Sequence, residues 1–288
     1  MYILFDIGGA KMRLAGSRDS RTFSDPVKIP TPGRDFEEGI RAFADASRRI
    51  AAGEPIEAVA GGIRGPFDRV AGALTNDPSM PGWNGKPLIQ ALERSHGCRV
   101  YLENDTAIVG LGEAHAGAGK GVEIMAYVTV STGVNGVRIV NGRIDANRFG
   151  FEIGHHIVNA DAVVQCDACS RSRGEVENYI SGTAFRRVYG KEPYEVTDPA
   201  AWDNAARILG IALNNVSVFW SPDVIVIGGS MVTGTNGAVI PFERIEHHFE
   251  GTLTIFPQRP KLRKAELGDV GGLHGALAFL RQQLAYPS

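Results

Sequence analysis

Apolar positions recur along this chain with two periods, and the places where one gives way to the other lay out its plan. Residues 1–7 form an apolar run that reads as a strand, and a second strand over 12–16 follows across Gly8-Gly9, so the two make a hairpin. A short strand is expected at 27–30. Phe36, Ile40, Phe43, Ala44 and Ile50 then share one face of a helix over 35–51. A strand at 56–63 leads into Gly65-Pro66-Phe67-Asp68 and a turn-rich stretch from Asn76 to Trp83, long enough to be a lid or the wall of a ligand site. A short helix over 88–95 returns the chain to its most informative junction. There β-favouring Val100 and Tyr101 give way after Glu103 to Ala107, Ile108, Leu111 and Ala114 at helical spacing. Asn104 and Asp105 therefore stand where a strand becomes a helix.

Gly117, Gly119 and Gly121 mark a break, which suggests a smaller α/β domain over 1–118 and a larger one over 119–272, with a C-terminal helix at 273–288 packing back on the first. The second half opens with a strand at 124–130, then Thr132-Gly133-Val134-Asn135-Gly136, then a hairpin over 137–145 turning at Asn141-Gly142. A glycine turn followed by a hairpin thus occurs twice, as expected of two similar α/β domains facing one nucleotide. The plainer reading is that such turns are common in a chain with 36 glycines. Residues 151–177 are the least regular. Asp198-Pro199 supplies a cap and a first-turn proline for a helix over 200–220 with a broad apolar face. The continuous apolar strand 223–227 is typical of a sheet covered on both sides, and it ends at Gly228-Gly229. That pair leaves room for a flat adenine or a ribose, although strand-to-helix packing also uses such glycines.

Composition narrows the function classes. The length of 288 residues and 43% hydrophobic content suit two globular cores, and 30 basic against 32 acidic side chains leave a net charge of -2 with no long run of either sign. Neither a nucleic-acid partner nor an anionic membrane is expected. The first apolar stretch carries Asp6 and lacks the basic start of a secretory signal, and no apolar run approaches the ~20 residues of a membrane helix. Three cysteines, Cys98, Cys166 and Cys169, fit a reducing cytosol better than a disulfide framework. A cytoplasmic location is the expectation.

Candidate chemistry sits at the junctions. Ligands of open α/β sheets bind outside the carboxyl ends of strands, where Asn104 and Asp105 offer a sugar hydroxyl an amide and a carboxylate. The competing reading is that Asp105 caps the following helix. Gly8 and Gly9 allow backbone amides to approach an anion, and Asp6 at the strand end can orient hydrated Mg²⁺. An ordinary hairpin turn would look the same. Cys166 and Cys169, spaced by two residues and preceded by His155, suggest zinc, with a redox pair as the alternative.

In their order along nearly the whole chain, these pieces resemble the ROK family (repressor, open reading frame, kinase). Asp6-Ile7-Gly8-Gly9-Ala10 with Lys11 is similar to its first phosphate motif, Gly65-Pro66-Phe67-Asp68 to the loop that follows, and Pro81-Gly82-Trp83 to the end of its sugar-side loop. Asn104-Asp105 resembles the catalytic pair, Thr132-Gly133-Val134-Asn135-Gly136 the second phosphate motif, and Ile227-Gly228-Gly229 the adenosine side. The resemblance implies an actin-like, ribonuclease-H-like fold with two α/β domains around a cleft, and transfer of the ATP γ-phosphate to a hexose or N-acylhexosamine. Asp105 would be the general base, with Gly65, Ser79, Asn104, Glu152, His155 and Glu177 on the sugar and Mg²⁺ on the phosphates. A structural zinc on His155, Cys166, Cys169 and Glu175 is also implied, Glu175 standing in for a third cysteine, and so is a possible homodimer.

This sequence departs from the family pattern at several of these positions. Ala10 replaces a threonine, Asn135 a glycine, Ser79 an asparagine and Arg64 a proline. The family's repressors supply the alternative function, a sugar sensor without turnover. Their DNA-binding helix-turn-helix would precede the first phosphate motif, which begins here at Asp6, so DNA binding is not expected.

Overall fold

The computed structural model describes residues 1–163, 165–166, 171–234 and 239–285. Two compact units result, one built from Met1–Ala116 with the chain from Asp269 onward, the other from Gly117–Gly268.

In the first unit, β1 (Tyr2–Ile7) and β2 (Lys11–Ser17) form an antiparallel hairpin that sets Asp6 opposite Arg13, and β3 (Val27–Pro30) extends it along β2. α1 (Phe36–Ala51) follows, started by Asp35, whose carboxylate accepts the Glu38 amide at 2.9 Å. β4 (Ala58–Ile63) then lies parallel to β1. A small hairpin of β5 (Phe67–Asp68) and β6 (Ala73–Leu74) and the helix α2 (Leu88–His96) lead to β7 (Arg99–Asn104), parallel to β4. α3 (Asp105–Ala116) begins at the next residue with no loop between. The strand order is β3-β2-β1-β4-β7.

The second unit repeats this plan. β8 (Ile124–Val130), β9 (Val134–Val140) and β10 (Arg143–Ile144) form an antiparallel meander. A ribbon of β11 (Gln165–Cys166) and β12 (Arg171–Ser172) follows, then α4 (Glu177–Ile180), α5 (Gly182–Tyr189) and the long α6 (Pro199–Trp220). Asp198 caps α6 through the Ala200 amide at 2.9 Å. β13 (Val224–Gly228) lies parallel to β8, and after α7 (Ser230–Thr233) and α8 (Phe242–Thr252) the edge strand β14 (Lys261–Lys264) lies parallel to β13. The order β10-β9-β8-β13-β14 matches that of the first sheet strand for strand.

Each sheet is covered on both sides, which explains its residues. In β1 the pleat sends Ile3, Phe5 and Ile7 to a core with Phe43, Trp83 and Leu92, and Leu4 to the opposite face. In the second unit Trp202, Leu209 and Leu213 of α6 share a core with Val128, Val130, Ile225 and Ile227. β9 starts at Val134, three residues before the strand expected from the sequence, so Asn135 and Gly136 are ladder residues opposite Thr129 and Val128. Pairing with β8 outweighs their poor strand propensity.

α9 (Gly271–Ala285) lies against α3 and buries Leu273, Leu277 and Leu280 beside Leu4 and Ile108. Glycines let the two backbones meet. A Cβ added at Gly275 would stand 1.7 Å from the Ile108 carbonyl oxygen, and one at Gly112 2.4 Å from that of Gly271. Gly275→Ala is therefore expected to cost at least the upper end of the ~1–3 kcal/mol typical of overpacking. An unchanged thermal melting curve would refute so close a seam.

Candidate active site

Parallel register brings three strand ends of the first unit into line. Ile7 of β1 pairs with Ile63 of β4, and Ile63 with Asn104 of β7, so the Gly8-Gly9 turn, Arg64-Gly65 and Asp105 leave the sheet side by side. The turn is closed by the Gly8 amide donating to the Lys11 carbonyl at 2.9 Å and tethered by the Thr31 hydroxyl donating to the Gly8 carbonyl at 2.8 Å. Ala10 and Lys11 lie on its exposed side.

Asp6 sits behind this turn with little contact with water. Burial raises its carboxyl to about 6, the nearby charges of Asp105 and Asp269 add to the rise, and Arg13 opposes it. Arg13 places one guanidinium nitrogen 3.3 Å from Asp6 Oδ2 and another 3.3 Å from Asp269 Oδ1. The N-terminus of α9 closes the other side, since a Cβ at Gly272 would be 2.9 Å from the Asp6 carboxyl carbon.

Asn104 and Asp105 divide two tasks that the sequence leaves together. Asn104 Oδ1 accepts the Thr106 amide at 2.9 Å and the Ala107 amide at 3.3 Å, so capping of α3 falls to Asn104. Its side-chain amide donates to the Gly65 carbonyl at 3.2 Å. Asp105 also accepts the Thr106 amide, at 2.7 Å. It keeps a partly exposed surface, yet loss of water around its carboxyl pushes it above the usual carboxylate range; the Thr106 amide and Arg64 pull it down, while Asp77 pushes it up. A carboxylate whose proton affinity is raised in this way is a stronger base than a free one.

Gly65 and Ser79 meet at Asp77, a residue that no sequence motif marks. Gly65 has φ +91, and a Cβ there would lie 2.7 Å from Asp77 Oδ2. The Ser79 amide and hydroxyl donate to Asp77 Oδ1 at 2.7 and 2.6 Å. Gly9 has no space to spare either, because its Cβ would stand 2.6 Å from Ser79 Oγ.

In the second unit, Thr132 and Gly133 form the turn between β8 and β9. Glu177 Oε2 accepts the Val134 amide at 2.7 Å and stands 2.6 Å from a Gly133 Cβ position. Asn135 Oδ1 accepts the Gly136 amide at 2.7 Å. Gly154 seats the 3₁₀ turn Ile153–His155, which follows Glu152, against the same segment, since a Cβ there would be 2.1 Å from the Val134 carbonyl oxygen. β13 ends at Gly228, and Gly229 beyond it, at φ +90, would place a Cβ 2.2 Å from the Val130 carbonyl oxygen. Close approach to β8 is thus one reason for that pair.

His155 Nδ1 lies 2.9 Å from Glu175 Oε2. Two tetrahedral ligands at ~2.0–2.1 Å from zinc stand about 3.3 Å apart, so these atoms could share a metal after a small movement. Cys169 and the side chain of Cys166 lie outside the described residues. Among the described residues, no group of three or more His, Cys, Asp and Glu side chains is placed to hold a metal ion.

Of the residues missed from sequence, Arg13 was readable by counting across the Gly8-Gly9 hairpin, whose register sets it opposite Asp6. Asp77 and Asp269 act through tertiary contacts that no local pattern announces.

Two units of one strand order, with glycine turns between the first two strands of each, define an actin-like ATPase fold. The chain belongs to the ROK family, whose model matches residues 2–283. It is similar to a ROK hexokinase from Thermus thermophilus, with a TM-score of 0.84 and 30% identity over 99% of each chain. A ROK family glucokinase from Streptomyces griseus, solved in complex with glucose and AMPPNP, gives a TM-score of 0.78 at 26% identity over 98% of this chain and 99% of that one. An N-acetylgalactosamine kinase of Shewanella sp. (strain ANA-3) is 27% identical over 299 residues, 96% of this chain and 95% of the relative.

Proposed function

We propose that this protein is an ATP-dependent carbohydrate kinase that transfers the γ-phosphoryl group to a hydroxyl of a hexose or N-acylhexosamine. The observation that carries this reading is Asp105 at the aligned strand ends, beside Asp6 and the Gly8-Gly9 turn, with its proton affinity raised. Asp105 takes the proton of the attacking hydroxyl as the new P–O bond forms and the bond from the γ-phosphorus to its bridging oxygen breaks, releasing ADP. Asn104, Gly65 and Ser79, with Glu152, His155 and Glu177, are assigned to the sugar. Gly8, Gly9, Ala10, Lys11, Thr132, Gly133 and Asn135 are assigned to the phosphates, and Gly228 and Gly229 to the adenosine.

Asp6 would hold Mg²⁺, because carboxylate oxygens are hard donors and the four carboxylates Asp6, Asp77, Asp105 and Asp269 outnumber the three cations Arg13, Lys28 and Arg64 in this corner. Bound there, the cation would neutralise charge on the phosphates. No described helix is long and apolar enough to cross a membrane. The even charge balance and odd cysteine count support a cytoplasmic enzyme without a nucleic-acid partner, and the family supports a homodimer.

The test is ADP release across a panel of hexoses and hexosamines with Mg-ATP, and with polyphosphate as a second donor. Sugar-dependent turnover is expected. Its absence throughout, with sugar binding retained, would favour a sensor without turnover.

We also assign one zinc per chain to His155, Cys166, Cys169 and Glu175. Its support is the approach of His155 Nδ1 to Glu175, which leaves Nε2 for a sugar hydroxyl. Metal analysis of protein purified without chelator is expected to find one zinc per chain, and well under one would mean that the thiols are free.

A further inference from the structure

Arg64 is the departure from the family pattern with the most structure built around it. Its Nε donates to Asp77 Oδ2 at 2.9 Å, and the Asp77 side chain is only 2% exposed. Asp77 is itself fixed from several sides: Ser79 donates to its other oxygen, its amide donates to Asn84 Oδ1 at 2.8 Å, and Asn84 donates back to its carbonyl at 3.1 Å. An anchor of this kind sets the plane of the guanidinium. One edge is occupied by Asp77, and Nη1 lies 3.1 Å from the point a Gly9 Cβ would occupy. Arg64 keeps about a third of its side chain in contact with solvent. Its charge also acts on Asp105.

A guanidinium is a planar fork whose separate edges can serve two oxyanions at once, which a lysine ammonium on a flexible stem cannot do in fixed geometry. Here the carboxylate of Asp77 takes the Nε edge. Nη1 stands against the glycine turn, whose following residue, Ala10, has no hydroxyl to offer a phosphate. We propose that Arg64, held by Asp77, donates its terminal nitrogens to the phosphoryl group in transfer at the Gly8-Gly9 turn and is a catalytic residue of this enzyme.

This rests on the kinase reading and deepens it. Arg64 stays protonated throughout: the hydroxyl proton goes to Asp105, the bond to the γ-phosphorus forms, the bridging bond breaks and the electron pair leaves on ADP. The competing role for Arg64 is that of a counterion for Asp105 with no contact to phosphate.

Calorimetric titration of the parent, R64Q and R64K with Mg-AMPPNP and with Mg-ADP separates the two, because only the first carries a γ-phosphoryl group. Loss of the fixed guanidinium fork, common to both variants, is expected to weaken AMPPNP binding by about ten- to a hundredfold while ADP binding stays within about twofold. In turnover, kcat of R64Q is expected to fall by about 10²- to 10³-fold, and R64K should not restore it. R64K keeps the charge beside Asp77 and serves as the folded probe if R64Q melts early. Equal effects on both nucleotides, no effect on either, or full recovery of kcat in R64K would overturn the proposal, as would a parent that binds neither nucleotide. A parent that distinguishes AMPPNP from ADP through Arg64 but shows no sugar-dependent ADP release would instead refute the kinase reading and leave the Arg64 contact standing.

Discussion

Asp105→Asn is expected to lower turnover by about 10²- to 10⁴-fold while leaving the fold and sugar binding in place. The structure makes this a clean substitution. Asn104 already caps α3, and the one backbone amide that Asp105 accepts, from Thr106 at 2.7 Å, can be accepted equally by an asparagine oxygen. What disappears is a charge that burial and Asp77 disfavour, so the melting temperature should hold or rise. The amide can still hydrogen-bond a sugar hydroxyl but cannot take its proton. Turnover, thermal melting and sugar affinity should be measured on one preparation. Turnover within a few fold of the parent would remove Asp105 from catalysis, and a collapse in melting temperature would show that the carboxylate holds the strand end together.

Asp6→Asn is expected to separate stability from activity in opposite directions. The Asp6 carboxyl is raised from 3.8 to about 6 in the folded chain, so the folded state holds this proton more tightly than the unfolded state does. The resulting stabilisation is complete below pH 3.8 and is lost as the pH rises through about 6. Two pKa units correspond to about 3 kcal/mol, so the Mg²⁺-free parent should lose stability of that order across this window. The asparagine variant should lack this loss and melt above the parent at pH 8. Its kinase activity is expected to be lower by about 10²-fold or more, because the phosphate charge is no longer balanced. Mg²⁺ should raise the melting temperature of the parent and not of the variant. A variant no more stable than the parent at pH 8 would mean that Asp6 is better solvated than its surroundings imply.

The parts legible in the sequence were those whose cause is local. The apolar run of β1, the single-faced apolar spacing of α1 and the Asp198-Pro199 start of α6 each follow from a few consecutive residues. β14 was not legible: Lys-Leu-Arg-Lys carries three charges in four positions, and it is a strand because it pairs with β13 at the sheet edge. α8 escaped for a similar reason, burying only Ile245 and Phe249. At the candidate site the same division holds. Glycine turns and the Asn104-Asp105 junction stand out in the chain. Which of those two residues caps the helix depended on side-chain geometry, and the network that joins Arg64 to Ser79, two departures from the family pattern, runs through Asp77, which no local pattern marks.

The seam between α3 and α9 sets a timetable for synthesis. Asp105 heads α3, and α9 both covers that helix and abuts Asp6, yet the whole second unit is encoded between them. At ~5–20 residues per second, a ribosome needs on the order of ten to thirty seconds to make 117–270. For that interval the first sheet is complete in strands but bare along Leu4, Ala60 and Ile108, the surface that Leu273, Leu277 and Leu280 later cover. Until α9 emerges this apolar face is open to aggregation, and it is the kind of surface that chaperones shelter.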